Sequence, residues 1–438
     1  MRPSTKRKTP SHKNSEKRAG YLLVAPALIL IIVISIYPVL RSFYFSLFDI
    51  KLNDPTKSSV HTNYSIDLSS YLNYYPFLVN DLNKVTPTTS GSVHDKLAKA
   101  TSELNQLDQK VQSDSGPTYK KVSTILSNFN TPTTKESLVT ISSSTANKFK
   151  TTVTQVNQIL KTIPNSQVDG MKDIKGLAHG LTTSIIKPNY VGFSHYSQDL
   201  SSSRTWAALW HTVVFTVISV AVEFVLGLGI ALLINKAFVG RGLIRATILI
   251  PWAIPTAVSA KMWQFLYDGQ NGIVAKFLAD IHLFHNMSDI LTTGTGAMFA
   301  VILSDVWKTT PYIALLLLAG LQTIPEALYE AAAIDGATRW KQFVHITIPM
   351  LKLSILVALL FRTLDAFRVF DLVFVLTGGG PANSTETIST LAYKVLFAQT
   401  NFGEGSALSV IVFICVAIIS MLFVKLLGSD LLPEGTKK

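Results

Sequence analysis

Several residues able to do polar chemistry stand inside stretches that are otherwise apolar. One group is Asp305, Trp307, Lys308 and Tyr312; another is Arg362, Asp365, Arg368 and Asp371; Glu223 stands alone. An ionisable group in hydrocarbon costs about 2.5–3.5 kcal/mol on insertion scales, so such groups turn toward a cavity or toward one another. Asp305 and Lys308 have i,i+3 spacing, as do Arg362 with Asp365 and Arg368 with Asp371, which allows ion pairs along one helix. Charged hydrogen-bonding groups interleaved with aromatic faces suit a hydroxyl-rich, ring-shaped solute. Interspan ion pairing is the alternative for each charge, and for Glu223 an interspan hydrogen-bonding acid is the preferred reading.

The elements that must position these residues are membrane helices. The chain has 438 residues, 48% hydrophobic and only 15% charged, well under the roughly 25% charged usual in soluble domains. About 20 apolar residues cross a bilayer, and six segments qualify: 20–44, 206–234, 243–266, 297–320, 348–376 and 405–427. The first is too long for a signal-peptide core and lacks a small-residue cleavage pattern. Basic residues fix the expected orientation. Arg2, Lys6, Arg7, Lys8, Lys13, Lys17 and Arg18 precede the first span; Lys236, Arg241 and Arg245 follow the second; Arg339 and Lys341 follow the fourth. With both termini cytoplasmic, all of these lie on one side, and much of the +12 net charge is topological rather than a nucleic-acid footprint. The lone Cys415 excludes an internal disulfide and reads as a buried thiol.

The expected fold is therefore an all-α membrane protein with six transmembrane helices, N-in and C-in. The expected segments are a basic tail at 1–19, a first helix at 20–45, an extracytoplasmic insert at 46–205, a core at 206–427 and a tail at 428–438. The insert is rich in Ser, Thr, Asn and Lys. Leu97, Leu104, Leu107 and Val111 form one helical stripe, and Val153, Val156, Leu160 and Ile163 another. Pro117, Pro132 and Pro164 break it into three or four amphipathic helices with a modest core.

Between the fourth and fifth spans, the loop at 322–349 has its own helix signals. Thr323 and Glu326 have capping-box spacing, Pro325 suits a first turn, an Ala-rich run follows, and Asp335-Gly336 supplies a left-handed stop. Pro349 is expected to limit a second helix. The order Glu330-Ala331-Ala332, three residues, Gly336, nine residues, Ile346, one residue, Ile348 and Pro349 resembles the coupling motif of ABC importer permeases. Ile348 departs from the family's usual Leu. The segment from Asn189 to Tyr196, the run from Phe361 to Asp371, Thr377 to Pro381, and Ser384 to Glu386 are similar to sugar-type permeases, in particular the first permease of maltose- and trehalose-type importers.

That resemblance implies the type I importer permease fold. It also implies that Glu330, Ala331, Ala332, Asp335, Gly336, Ile346 and Pro349 dock a separate ATPase. The other implied partners are a second permease in a heterodimer, two ATPase subunits that use ATP and Mg, and an external substrate-binding protein. This chain is expected to bind no cofactor or metal. The family takes its sugar contacts from the regions flanking the loop, which here hold Asp305, Trp307, Lys308, Tyr312, Arg362, Asp365 and Arg368. Tyr312 matches a contacting tyrosine, whereas positions 305, 362 and 365 depart from the maltose pattern. The family's large insert touches the binding protein, and the insert here shares only its position. No Gly-x4-Gly-Lys-Ser/Thr pattern occurs, so the chain itself should not hydrolyse ATP. The alternatives are a permease for glycerol phosphate or another polar solute, a membrane sensor with a helical outer domain, and a secondary transporter. A sensor is expected to need a cytoplasmic output domain, for which the dozen or so residues after the last expected span are too few, and a secondary transporter would typically show span repeats.

Overall fold

The computed structural model describes the backbone of residues 12–431 and the side chains of 20–426. The tails expected at 1–19 and 428–438, whose basic residues carry part of the orientation argument, lie outside the described side chains. The chain divides into two compact units, one of residues 1–46, 193–399 and 404–438, the other of 47–192 and 400–403.

Among the described residues of the first unit, five helices are long and apolar enough to cross a membrane: Gly20–Phe45, Ser203–Asn235, Gly294–Leu321, Arg339–Phe367 and Phe402–Leu426. A sixth candidate, expected as one span at 243–266, is instead two helices, Arg241–Ala253 and Thr256–Leu266, bent by 89°. Pro255 causes the break. It has no N–H to donate and forces Ile254 into extended backbone (φ −71°, ψ 131°). The fifth span also differs from expectation, because its helix ends at Phe367 and a separate short helix, Asp371–Leu376, follows.

Pro349 does not limit the loop's second helix. The helix runs from Arg339 through Phe367, and a wide π-turn at Phe343–Thr347 immediately before the proline absorbs the missing N–H and the ring clash. A second π-turn, Ile32–Ile36, precedes Pro38 in the first span in the same way.

The Ser203–Asn235 and Gly294–Leu321 helices cross closely at Gly227. A Cβ there would meet Ile313 Cγ2 at 2.8 Å and the Ala314 backbone nitrogen at 3.2 Å. Small residues at such crossings bring backbones together where no hydrophobic effect drives helices to associate. Around it, Ala231, Ile234, Ile313, Leu317, Leu351 and Ala358 are buried together.

The second unit contains five helices of ten residues or more: Leu68–Val85, Gly91–Ser115, Pro117–Ser127, Ser143–Lys161 and Met171–Gly180. Both expected stripes are buried in its core. Asp67 and Ser142 cap their helices by accepting from Ser69 N (3.0 Å) and Thr145 N (3.2 Å). The core is larger than the modest one expected, because Tyr71, Leu72, Tyr75, Leu78 and Leu82 enter it from the segment before residue 90. The unit also holds a small antiparallel sheet in the order β2-β1-β3 (β1 Ser65–Asp67, β2 Leu138–Thr140, β3 Ile185–Ile186). Strands of two and three residues are too short for alternation to show in sequence. At the centre, the buried Asp108 accepts from Tyr71 (3.0 Å), Tyr119 (2.8 Å) and Gln112 (2.7 Å).

Candidate functional site

The polar residues of the long helices converge on a cavity of about 240 Å³ lined by Asp305, Lys308, Arg362, Asp365 and Arg368, with Thr309 and Asp371 at its wall. The pairing differs from the i,i+3 expectation for two of the three pairs. Arg362, 2% exposed, is the hub. Its Nε and Nη2 donate to Glu223 (2.5 and 2.8 Å), Nη2 also donates to Asp305, and Nη1 lies 3.6 Å from Asp365. Glu223 accepts a further bond from Thr309 Oγ1 (2.6 Å). One guanidinium thus ties the Ser203–Asn235, Gly294–Leu321 and Arg339–Phe367 helices together, and Glu223 is the interspan acid that its isolation in sequence suggested. Two buried carboxylates on one cation are tolerated because the fork geometry of Arg satisfies several acceptors at once.

Lys308 does not pair with Asp305. Its Nζ donates to Ile254 O (2.6 Å) and Trp252 O (3.4 Å), carbonyls freed by the break at Pro255. Sequence spacing could not show this, since the acceptors are backbone atoms of a distant segment. Tyr312 stacks on Trp252 (centroids 5.7 Å apart, 18° between planes), and Trp307 meets Trp263 edge-on at 5.5 Å. Arg368 lies past the end of its helix and pairs with Asp365 (3.5 Å) rather than Asp371. That pair is open, with side chains 66% and 60% exposed. A larger recess of about 650 Å³, lined by Trp210, Val214, Ile218, Met298, Phe299 and Ile302, is almost wholly apolar. Its polar side chains are confined to His211, Thr295 and Ser384, whereas the smaller cavity concentrates the charged groups, so the polar cavity is the candidate path.

The loop beside these spans folds as helix, stop and helix. Pro325 starts the Glu326–Ile334 helix, but the expected capping box does not form: Thr323 Oγ1 donates to Gly320 O (2.8 Å) instead. Gly336 (φ +74°) ends the helix, with Gly336 N donating to Ala333 O (3.1 Å) and Ala337 N to Ala332 O (2.9 Å). This bond pair is the Schellman stop, which needs a left-handed residue. Thr338 caps the following helix, and Tyr329 bonds Thr347 (2.9 Å), closing the hairpin. Glu330, Ala331, Asp335, Gly336 and Pro349 are exposed, while Ala332 and Ile346 are half-buried. Two residues not singled out by the motif, Ile334 (86% exposed) and Trp340 (71%), add large apolar surface to this face. The motif's fixed positions passed over them, although apolar residues beside a left-handed stop were a usable signal.

Residues 223–432 match the family described as the binding-protein-dependent transport system inner membrane component. The trehalose/maltose transport system permease protein MalF of Thermococcus litoralis is 43% identical over 247 residues, 56% of this chain and 83% of that protein. The chain belongs to this family. The permease is also 43% identical over 240 residues, 55% of its length and 76% of the relative's, to the trehalose transport system permease protein SugA of Mycobacterium tuberculosis. Its fold is similar to that of a chain of a bacterial ABC transporter involved in the import of the acidic polysaccharide alginate (TM-score 0.51, 23% identity, 56% of the permease and 85% of that chain). The permease is thus a multi-pass, non-enzymatic subunit of a sugar importer in the bacterial cytoplasmic membrane, with ATP hydrolysis in a separate subunit.

Proposed function

We propose that this subunit forms half of the path for a neutral di- or oligosaccharide of the trehalose or maltose type. The observation that carries the reading is that each cation lining the polar cavity already has acceptors. Arg362 is held by Glu223 and Asp305, Lys308 by two carbonyls, and Arg368 by Asp365. A phosphate or uronate would require a cation free to meet it. Compensated pairs instead present donors and acceptors side by side, which is what a row of hydroxyls needs, and Tyr312 on Trp252 adds an aromatic face. The trehalose and maltose named for the relatives above agree with a neutral cargo.

In this reading both termini are cytoplasmic, six spans cross the membrane with the bent pair as one, and the 47–192 unit lies outside. Glu330 to Pro349 docks an ATPase, with Ile334 and Trp340 as apolar contacts. A second permease completes the path, two ATPase subunits hold ATP and Mg, and an external binding protein delivers the sugar. Co-reconstitution of the full complex in proteoliposomes tests it. Labelled trehalose or maltose should accumulate with ATP, and excess glycerol phosphate should not compete. Preferential uptake of the anionic solute, or uptake with no ATPase present, would overturn the reading.

A further inference from the structure

The link between the Ser203–Asn235 helix and the bent span carries one sign of charge. No Asp or Glu occurs from residue 224 to residue 267, while Lys236, Arg241 and Arg245 crowd a turn made at Gly240 (φ +84°). Among the described residues no ion pair holds any of the three. Arg245 Nη2 donates to Ile234 O (3.0 Å), an end carbonyl of the long helix, and its buried Nε has no acceptor. That bond is the usual use of a cation at a helix C-terminus. It accounts for part of one guanidinium and leaves Lys236 and Arg241 unmatched.

The helix after the turn, Arg241–Ile248, has two faces. Arg241 and Arg245 are i,i+4 and share the side that Arg245 turns toward the end of the long helix. Leu243, off that side, is 74% exposed, and Phe238 and Val239 in the turn are exposed as well. A basic loop left in water accounts for the cations but not for large apolar side chains standing out beside them.

We propose that this link is a docking surface for an anionic phospholipid. Lys236, Arg241 and Arg245 gather its phosphate and headgroup charge, and Phe238, Val239 and Leu243 lie against its acyl chains. Basic residues interleaved with exposed apolar ones are what seat a short helix at the headgroup boundary. The link joins two membrane helices, which keeps it at the bilayer edge, and the absence of acids gives it the charge complementary to such a lipid. Which leaflet supplies the lipid rests on the proposed orientation, whereas binding itself does not. A lipid held here would anchor the Arg241–Ala253 half of the bent span while the Thr256–Leu266 half stayed free to swing about Pro255.

Native mass spectrometry of the full-length permease, with phosphatidylglycerol and phosphatidylcholine as probes, tests the proposal. The anionic lipid should bind with the lower Kd. Each cation near an anionic surface is worth about fivefold in affinity. Lys236→Gln combined with Arg241→Gln should therefore weaken phosphatidylglycerol by more than about tenfold and leave phosphatidylcholine unchanged. The combination leaves Arg245 on its carbonyl, so Tm should hold. Lys236→Arg with Arg241→Lys, which keeps both charges, should keep the binding, and Lys276→Gln, beyond the bent span, should not alter it. Equal Kd for the two lipids, or phosphatidylglycerol binding indifferent to the paired Gln substitutions, would overturn the proposal. Displacement of the lipid by excess inorganic phosphate would also overturn it, making this a site for soluble anions. So would displacement on adding the ATPase subunits, which would make the surface a protein interface. None of these measurements involves sugar, so failure here would leave the proposed cargo standing.

Discussion

Arg362 and its two buried acids set opposite expectations for substitutions only a few ångströms apart. Removing one partner of a buried pair strands the other charge, at a cost of about 3–5 kcal/mol. Arg362→Met would strand both Glu223 and Asp305. It should lower the thermal midpoint sharply and abolish uptake, and adding Glu223→Gln and Asp305→Asn should recover much of the midpoint without recovering uptake. Asp365→Asn acts on an exposed pair with Arg368 and on a longer, 3.6 Å contact to Arg362, which keeps both buried acids; with the Asp365 side chain 60% exposed, the stability at stake is about 0–1 kcal/mol. Its midpoint should be unchanged while the apparent KM for sugar rises. A fall in stability as large as that of Arg362→Met would show that Asp365 is structural. The presence of these charges was readable from sequence because charges in apolar runs are conspicuous. Their pairing was not, since Glu223 is 139 positions from Arg362 and no spacing rule reaches that far.

At the scale of elements, the docking loop depends on one backbone conformation. Nothing lies within 4 Å of a Cβ built on Gly336, so a side chain there meets no neighbour and only the left-handed φ resists it. That penalty is about 1–2 kcal/mol for an ordinary L-residue and greater for a β-branched one. Gly336→Val should leave the protein in the membrane at normal abundance yet cut sugar-stimulated ATP hydrolysis by the complex. Gly336→Asn, which tolerates φ > 0, should retain most of it. Equal activity of the Val and Asn variants would argue against the Schellman stop as the determinant. The loop's helices were legible because Ala-rich runs and Asp-Gly stops are local signals. The fate of Pro349 was not, because a π-turn upstream is a tertiary accommodation that leaves no mark in composition. Pro255 did leave a mark in the third span, which length and hydropathy alone masked.

For the whole molecule, the 47–192 unit is a separately cored body whose removal can be planned from its sheet. Ser65 on β1 pairs with Ile186 on β3, so the chain enters and leaves the helical part through neighbouring residues, with Cα atoms about 5 Å apart. Excising 65–186 and joining the ends with a two-residue turn removes the buried core intact. A deletion of 90–180 would instead expose Leu78 and Leu82. The excised protein should still insert and associate with its ATPase, but lose uptake at low sugar concentration, where delivery by the binding protein limits the rate. Normal uptake at low sugar would show that the unit serves something else. The helical stripes of this unit were legible from Leu and Val spacing. Its sheet and the Asp108 hub were not, since both join residues far apart in the chain.

Lys308 spends its ammonium on carbonyls that exist as acceptors only while the third span is bent. If that span straightened, the helix would reclaim the carbonyls and the amine would have to find water. The residue is therefore a native chemical reporter. An amine-reactive reagent small enough to enter the path should acylate it slowly in the resting permease and faster whenever turnover opens the bend. Peptide mapping of that one lysine would then time the transport cycle without any introduced label.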